Sequence, residues 1–307
     1  EIDGVTCEAF VYGRRLGQGS KQAAPVCGVL LDNRAALAEE VIRIADKNDL
    51  KELAGLPLGN PDASRDFATG APLADEPVTV IVSKNGWMRA RNGHGLDLSA
   101  LQYKAGDAAL AVIETRTVWP LVLLDSVGRT YSIRIPELPT GRGDGVPMSS
   151  LLDLARGARL MYAISAAPET RILVSSDAGY GFICQLTDLL SRQRAGKAFM
   201  TVEEGGIPLP PLQLSPHLPW VAAAADNGRL LAFPLEEMKT LTGGKGVQII
   251  KLEDKEHLTT LALFDGERLL VEGKTRTGKP ASQTLTGAGL IRYLLHRARK
   301  GHDLDKI

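Results

Sequence analysis

From Val78 onward, short apolar runs alternate with polar turns that carry glycine, a pattern of strands and hairpins rather than of helices. Five segments align: "VTVIVSKNGWMRAR" from Val78, "WPLVLLDSVGRTYSIRI" from Trp119, "TRILVSSDAGYGFICQL" from Thr170, "PWVAAAADNGRLLAFPL" from Pro219 and "ERLLVEGKTRTGKPASQTL" from Glu267. Each reads as an apolar strand, a tight turn and a second strand. The turn glycines Gly86, Gly128, Gly179, Gly228 and Gly278 follow one another at 42, 51, 49 and 50 residues, the repeat length of a propeller-like blade of about four strands. A single blade leaves its faces uncovered, so neighbouring blades must supply the missing contacts. The expected fold is all-β, a disc of about five four-stranded blades.

Upstream the pattern changes. Residues 34–54, "RAALAEEVIRIADKNDLKELA", place Leu37, Val41, Ile44 and Ala45 at helical spacing, which predicts a helix or helix pair. The stretch from Gly55 to Pro77 then carries Pro57, Pro61, Pro72 and Pro77, the chemistry of a linker. The expected organisation is therefore a small, partly helical N-terminal segment of unassigned role (1–75), a blade domain (76–301) and a short tail (302–307). The chain opens on Glu1 rather than Met, which suggests a piece of a longer protein.

Composition narrows the function classes. The 307 residues contain 36 basic and 36 acidic side chains, so net charge alone points to no polyanionic partner. The balance is uneven along the chain: residues 1–75 hold 8 Lys and Arg against 12 Asp and Glu, whereas residues 76–301 hold 27 against 22. Cys7, Cys27 and Cys184 are too few and scattered for a disulfide framework, and they form no C-x-x-C pair. With no apolar run long enough to span a bilayer and no export signal, a reducing cytoplasm is the expected compartment.

The mild positive charge of the blade region is concentrated in short glycine-bearing loops that follow the second strand of each repeat: "RNGHG" at Arg91, "GRGDG" at Gly141, "RQRAGK" at Arg192, "GGKG" at Gly243 and "RARKG" at Arg297. Gly143, Gly196 and Gly244 lie 15, 17 and 16 residues beyond their turn glycines, so the loops recur at one structural position and should form an arc on the rim. Cations beside exposed glycine N–H groups suit the phosphates of a polyanion, and nothing resembles a base-reading helix. DNA binding of this kind rests on backbone contacts and on bending the duplex, with weak sequence preference. The candidate contacts are Arg89, Arg91 and His94 in the first unit, Arg142 in the second, Arg192, Arg194 and Lys197 in the third, Lys239 and Lys245 in the fourth, and Arg297, Arg299 and Lys300 in the fifth.

The stretches "EPVTVIVSKNGWMRARNGHGLDLSALQYKAGD" (76–107), "SSDAGYGFICQLTDLLSRQRAGKA" (175–198) and "GRLLAFPLEEMKTLTGGKG" (228–246) resemble the C-terminal domain of the A subunits of bacterial type IIA topoisomerases, those of topoisomerase IV above all. The resemblance covers about Pro77 to Gly301. It implies a β-pinwheel, in which neighbouring blades exchange strands, and a role in binding and bending a DNA segment for strand passage in decatenation and supercoil relaxation. It also implies double-stranded DNA, an ATPase subunit and a second A subunit as partners, a nucleoid-associated location, and chemistry carried elsewhere, with ATP and Mg on other parts of the assembly and no cofactor on this chain. The gyrase A subunits of the same family carry a basic box, Q-[KR]-R-G-G-[KR]-G. Here "RQRAGKA" keeps Gln193, Arg194, Gly196 and Lys197, and "TGGKG" keeps Gly243 to Gly246. Neither is intact, which favours the topoisomerase IV type over DNA wrapping of the gyrase type.

Other readings fare less well. "GKTRTGKP" (273–280) has P-loop spacing but puts Pro280 where Ser or Thr should hold Mg²⁺, and it sits inside a hairpin. His217, His257, His296 and His302 show no ligand spacing, so no metal site is expected, and no nucleophile motif supports a catalytic site on this chain. Trp87, Trp119, Trp220, Tyr131, Tyr180 and Phe233 flank turns or open strands, positions of blade packing. The remaining alternative is a protein-binding propeller, which would have no need of basic loops in register.

Overall fold

In a computed structural model, the structure describes residues 8–11, 14–15, 29–30, 73–97, 101–140, 143–274 and 279–304. The chain divides into two compact units, Glu1–Pro61 and Asp62–Ile307. In the first, β1 (Glu8–Val11) pairs antiparallel with β2 (Arg14–Arg15) on one side and β3 (Val29–Leu30) on the other. The helix expected over 34–54 falls outside the described residues.

The second unit is a β-pinwheel of consecutive blades. Each blade is built on an antiparallel hairpin: β4 (Pro77–Ser83) with β5 (Trp87–Asn92), β7 (Pro120–Asp125) with β8 (Arg129–Arg134), β11 (Arg171–Ser175) with β12 (Tyr180–Gln185), β15 (Trp220–Ala225) with β16 (Arg229–Pro234), and β19 (Arg268–Lys274) with β20 (Pro280–Thr286). A third strand lies beside the first strand of the hairpin: β6 (Ala109–Arg116), β10 (Leu160–Ser165), β14 (Leu212–Gln213) or β18 (Leu258–Phe264). The fourth strand arrives from the next blade along the chain. After completing β8 of the second blade, the chain turns back and lays β9 (Val146–Pro147) on β5 of the first. In the same way β13 (Lys197–Ala198) returns to β8, β17 (Val247–Gln248) to β12, and β21 (His302–Asp303) to β16.

Four blades thus reach four strands, while the fifth hairpin has only its own two among the described residues. The sequence reading closes the domain at residue 301, but His302 and Asp303 belong to the fourth blade, paired with Leu230 and Arg229. The P-loop spacing at 273–280 is a spacing only: Lys274 and Pro280 face each other across the β19–β20 ladder, and among the described residues no helix stands between them.

The apolar runs are continuous because the central strands are covered on both faces. Along β7, Leu121 and Leu123 point into a core shared with Val78, Val80, Val82 and Met88 of the first blade, whereas Val122 and Leu124 point into one shared with Ile172, Val174 and Phe182 of the third. The period-two alternation of a strand thereby serves two neighbours at once. Leu173, Val221, Leu231 and Phe233 continue the pattern into the fourth blade, and Ala222, Leu230, Leu269 and Leu285 into the fifth. A one-residue slip would exchange the two sets, so the packing fixes the register.

Two sets of glycines make this possible. Gly86, Gly128, Gly179 and Gly228 take the positive φ (78° to 81°) that closes the hairpin turns of the first four blades, while Gly278 of the fifth falls outside the described residues. A second set, Gly145, Gly196, Gly246 and Gly301, stands one residue before each exchanged strand, also at positive φ. A Cβ on these would come within 2.1 Å of the Met88 carbonyl, 2.5 Å of that of Thr130, 2.4 Å of that of Gly181 and 2.5 Å of that of Leu230, respectively. Only glycine lets the returning strand approach the preceding blade this closely.

Gly246→Ala should therefore cost about 2 kcal/mol or more of unfolding free energy, from left-handed strain and a backbone clash together. Gly93→Ala, at positive φ with open space around it, should cost only about 1 kcal/mol; urea unfolding of the two variants checks the difference. A second expectation concerns Cys184, fully buried on β12 with its thiol pushed up to about 12 by burial. In a Cys7→Ser/Cys27→Ser chain it should not react with a thiol reagent at pH 8, and labelling should follow unfolding of the third blade.

Candidate nucleic-acid interface

Four of the five basic loops belong to the crossovers that carry the exchanged strands. Each leaves the second strand of its own blade and runs alongside the preceding blade, where Ala90 N–H donates to the Pro139 carbonyl, Ile183 N–H to that of Lys239 and Ala232 N–H to that of Tyr293, at 2.8–3.0 Å. It then passes through the close-approach glycine into the exchanged strand. The recurrence seen in the sequence is real, but its register shifts: the equivalent glycines are Gly145, Gly196 and Gly246, at 17, 17 and 18 residues past their turn glycines, rather than Gly143, Gly196 and Gly244. The first loop stands apart. From Gly93 the chain returns as β6 to its own blade, so "RNGHG" precedes no exchanged strand among the described residues.

The predicted cations separate into three groups by what they touch. Arg89, Arg297 and Lys197 are structural. Arg89 is 3% exposed on β5, its guanidinium donating to the carbonyls of Gly143 (2.5 Å) and Gln102 (2.7 Å). Arg297 donates through its backbone N–H to the Glu237 carboxylate (2.7 Å), through Nε to the Glu237 carbonyl (3.1 Å) and through Nη1 to the Gln248 carbonyl. Lys197 is half-buried, its ammonium bonded to the Asp188 carbonyl. Arg129, which sequence reasoning passed over, belongs with them: it donates to the carbonyls of Ala195 (2.8 Å) and Gly196 (3.0 Å) in the returning loop. These arginines hold crossovers against the blades that receive their strands, and a guanidinium does so with several donors in a fixed fork.

A second group is exposed and ion-paired. Arg194 faces Asp153 at 3.6 Å, Lys245 faces Glu203 at 2.8 Å, and Lys300 is paired with Glu253. Lys245 also lies over the Tyr180 ring, 4.1 Å from its centroid, and the hydrogen bond to Glu203 holds its ammonium charged above the ordinary lysine range. The third group, Arg192, Lys239 and Arg299, is exposed with no side-chain partner among the described residues. All three lie on crossovers. Arg91 is half-buried with its Nε unpartnered, and His94 is exposed with Nε2 at 2.8 Å from the Thr115 carbonyl. Arg142 falls outside the described residues.

Of the rings assigned to packing, Tyr131 and Phe233 are buried. Trp87, Trp119, Tyr180 and Trp220 are half-buried, and Trp87 carries the Lys104 ammonium 3.3 Å above its centroid. Among the described residues no cluster of His, Cys, Asp and Glu is arranged to hold a metal ion, and no helix is long and apolar enough to cross a membrane.

This division predicts where stability resides. Arg89→Met should cost about 1.5–3 kcal/mol, the range for a charge-assisted hydrogen bond, because it removes the buried guanidinium that tethers the carbonyls of Gly143 and Gln102. Arg192→Gln should leave the thermal midpoint within about one degree, as an exposed substitution without partners does.

Comparison with known proteins bears on the whole of this domain. The model of the DNA gyrase C-terminal domain, described as a beta-propeller, matches residues 170–207 and 220–265. The A subunit of DNA topoisomerase 4 from Neisseria gonorrhoeae is 42% identical over 216 residues, 67% of this chain and 28% of that protein. Its counterpart in Escherichia coli strain K12 is 36% identical over 200 residues, 65% of this chain and 27% of that protein. The chain thus spans less than a third of the curated relatives it matches. The solved structure of the E. coli ParC C-terminal domain superposes with a TM-score of 0.70 at 33% identity, covering 75% of this chain and 94% of that one. With strand exchange between blades, glycine-gated crossovers and this match over nearly all of a solved domain, the chain belongs to the family of C-terminal domains of bacterial topoisomerase IV and gyrase A subunits.

Proposed function

We propose that this domain binds double-stranded DNA along its crossover rim without reading sequence and bends it, presenting a segment for ATP-dependent strand passage by a topoisomerase IV holoenzyme. The observation that carries the reading is the placement of Arg192, Lys239 and Arg299: three exposed cations, without a side-chain partner among the described residues, on three successive crossovers. Strand exchange repeats the crossover from blade to blade, so the cations recur along the path of the blades rather than clustering at one spot. A duplex engaged at successive blades must follow that path, and phosphate contacts alone fix its position. The catalytic and ATP-hydrolysing parts, a second A subunit and the ATPase subunit belong to the rest of such an enzyme, with a cytoplasmic, nucleoid-associated location. In this reading the domain selects and holds DNA but makes and breaks no bond.

The test is binding of the 307-residue chain to a labelled duplex of about 40 base pairs by fluorescence anisotropy, at several salt concentrations and with a scrambled sequence. Arg192→Glu, Lys239→Glu and Arg299→Glu should each weaken binding and flatten the slope of log K against log salt by about 0.9 per lost contact, with unchanged thermal unfolding. Reversal of Lys197 is a poor probe, since its bond to the Asp188 carbonyl would be lost as well. Equal affinity in the three variants, or failure of the parent chain to bind at low salt, would overturn the proposal and favour a protein partner.

A further inference from the structure

Three acids sit at residues 153, 203 and 253, 50 residues apart, a repeat as regular as that of the hairpin glycines. Each follows an exchanged strand, and each is paired with a cation of the next crossover: Asp153 with Arg194, Glu203 with Lys245 and Glu253 with Lys300. The pairing is built into the backbone. At the same three junctions the N–H groups of Asp153, Thr201 and Lys251 donate to the carbonyls of Arg194, Gly244 and Arg299, at 2.9–3.0 Å. These carbonyls stand two residues before Gly196, Gly246 and Gly301 in every case. At the first junction the polarity is reversed: Lys104 stands on the near side and Asp144, directly before Gly145, on the crossover, 4.0 Å apart.

Every one of these side chains is exposed. Exposed pairs contribute little to stability, so three pairs of one polarity at three successive junctions ask for another explanation. Several of the rim cations expected from sequence are in fact occupied by carboxylates of the same chain.

We propose that Asp153, Glu203 and Glu253 act as internal competitors of DNA phosphate, each occupying one rim cation in the free domain and lowering its affinity for duplex. A phosphate reaching Arg194, Lys245 or Lys300 must displace a carboxylate, and that carboxylate remains nearby as a repelling charge. The ladder keeps DNA binding reversible, as release after each strand passage requires. The inference rests on the reading of the rim as a DNA surface.

The experiment compares duplex binding by the 307-residue parent chain, Asp153→Asn, Glu203→Gln, Glu253→Gln, the triple variant and a charge-matched control, Glu169→Gln. Glu169 is exposed and has no cation partner among the described residues. Each ladder variant should bind about two- to fivefold more tightly at low salt, the range for release of one exposed ion pair, with the triple variant tightest. Glu169→Gln should match the parent. In a Lys245→Gln background, Glu203→Gln should lose its effect, which separates local competition from a general change of net charge. If the parent binds duplex but the ladder variants bind no more tightly than Glu169→Gln, the ladder has no competing role while the DNA reading stands. If the parent does not bind, the DNA reading itself fails and the ladder proposal with it.

Discussion

The constraint on which the molecule depends is the contact between a glycine and the backbone of a neighbouring blade. A chain returning from one blade to complete another must pass within van der Waals distance of a strand already in place, and at Gly145, Gly196, Gly246 and Gly301 there is no room for a Cβ. The positive φ at these glycines turns the chain into its short exchanged strand. Two ladder pairs per junction would hold little by themselves. The alternating cores on the two faces of each central strand, together with the arginine bonds to crossover carbonyls, make the junctions part of one packed structure.

Charge then follows from topology. A crossover that must travel over the outside of its neighbour is solvent-facing along part of its length, and its carbonyls need donors where it touches down. Arginine supplies donors on the inner side and cations on the outer side, so one residue type in one loop serves two purposes that composition does not distinguish. Arg89 and Arg297 are spent inward, Arg192 and Arg299 project outward, and Arg194, Lys245 and Lys300 meet carboxylates of their own chain. A chain whose charges balance overall can therefore still expose cations on successive crossovers.

Much of this was legible in the sequence. The hairpin glycines gave the repeat, because a tight turn at positive φ leaves few alternatives to glycine, and the continuous apolar strands announced burial on both faces. The register of the second glycine set was not legible: "GRGDG" and "TGGKG" each offer several glycines, and only the position of the receiving strand shows that Gly145 and Gly246 are the ones pressed against it. Nor could spacing reveal that His302 and Asp303 complete the fourth blade, since a two-residue strand has no periodicity. The fate of each cation was hidden for a related reason. Whether Arg89 reaches solvent depends on the loop carrying Gly143, 54 residues away in sequence. The acids at 153, 203 and 253 were visible as a period, but they gain meaning only once the crossovers they face are known.

The most direct measurement of the central claim is cross-linking from defined points on the rim to bound duplex. In a Cys7→Ser/Cys27→Ser chain, where Cys184 is buried, a photoreactive group placed in turn through Arg192→Cys, Lys239→Cys and Arg299→Cys should cross-link to one duplex. The sites of attachment should be displaced along the DNA in the order of the crossovers. Attachment from none of them, or equal attachment from a probe at Glu169→Cys, would contradict the view that strand exchange lays out a path for DNA.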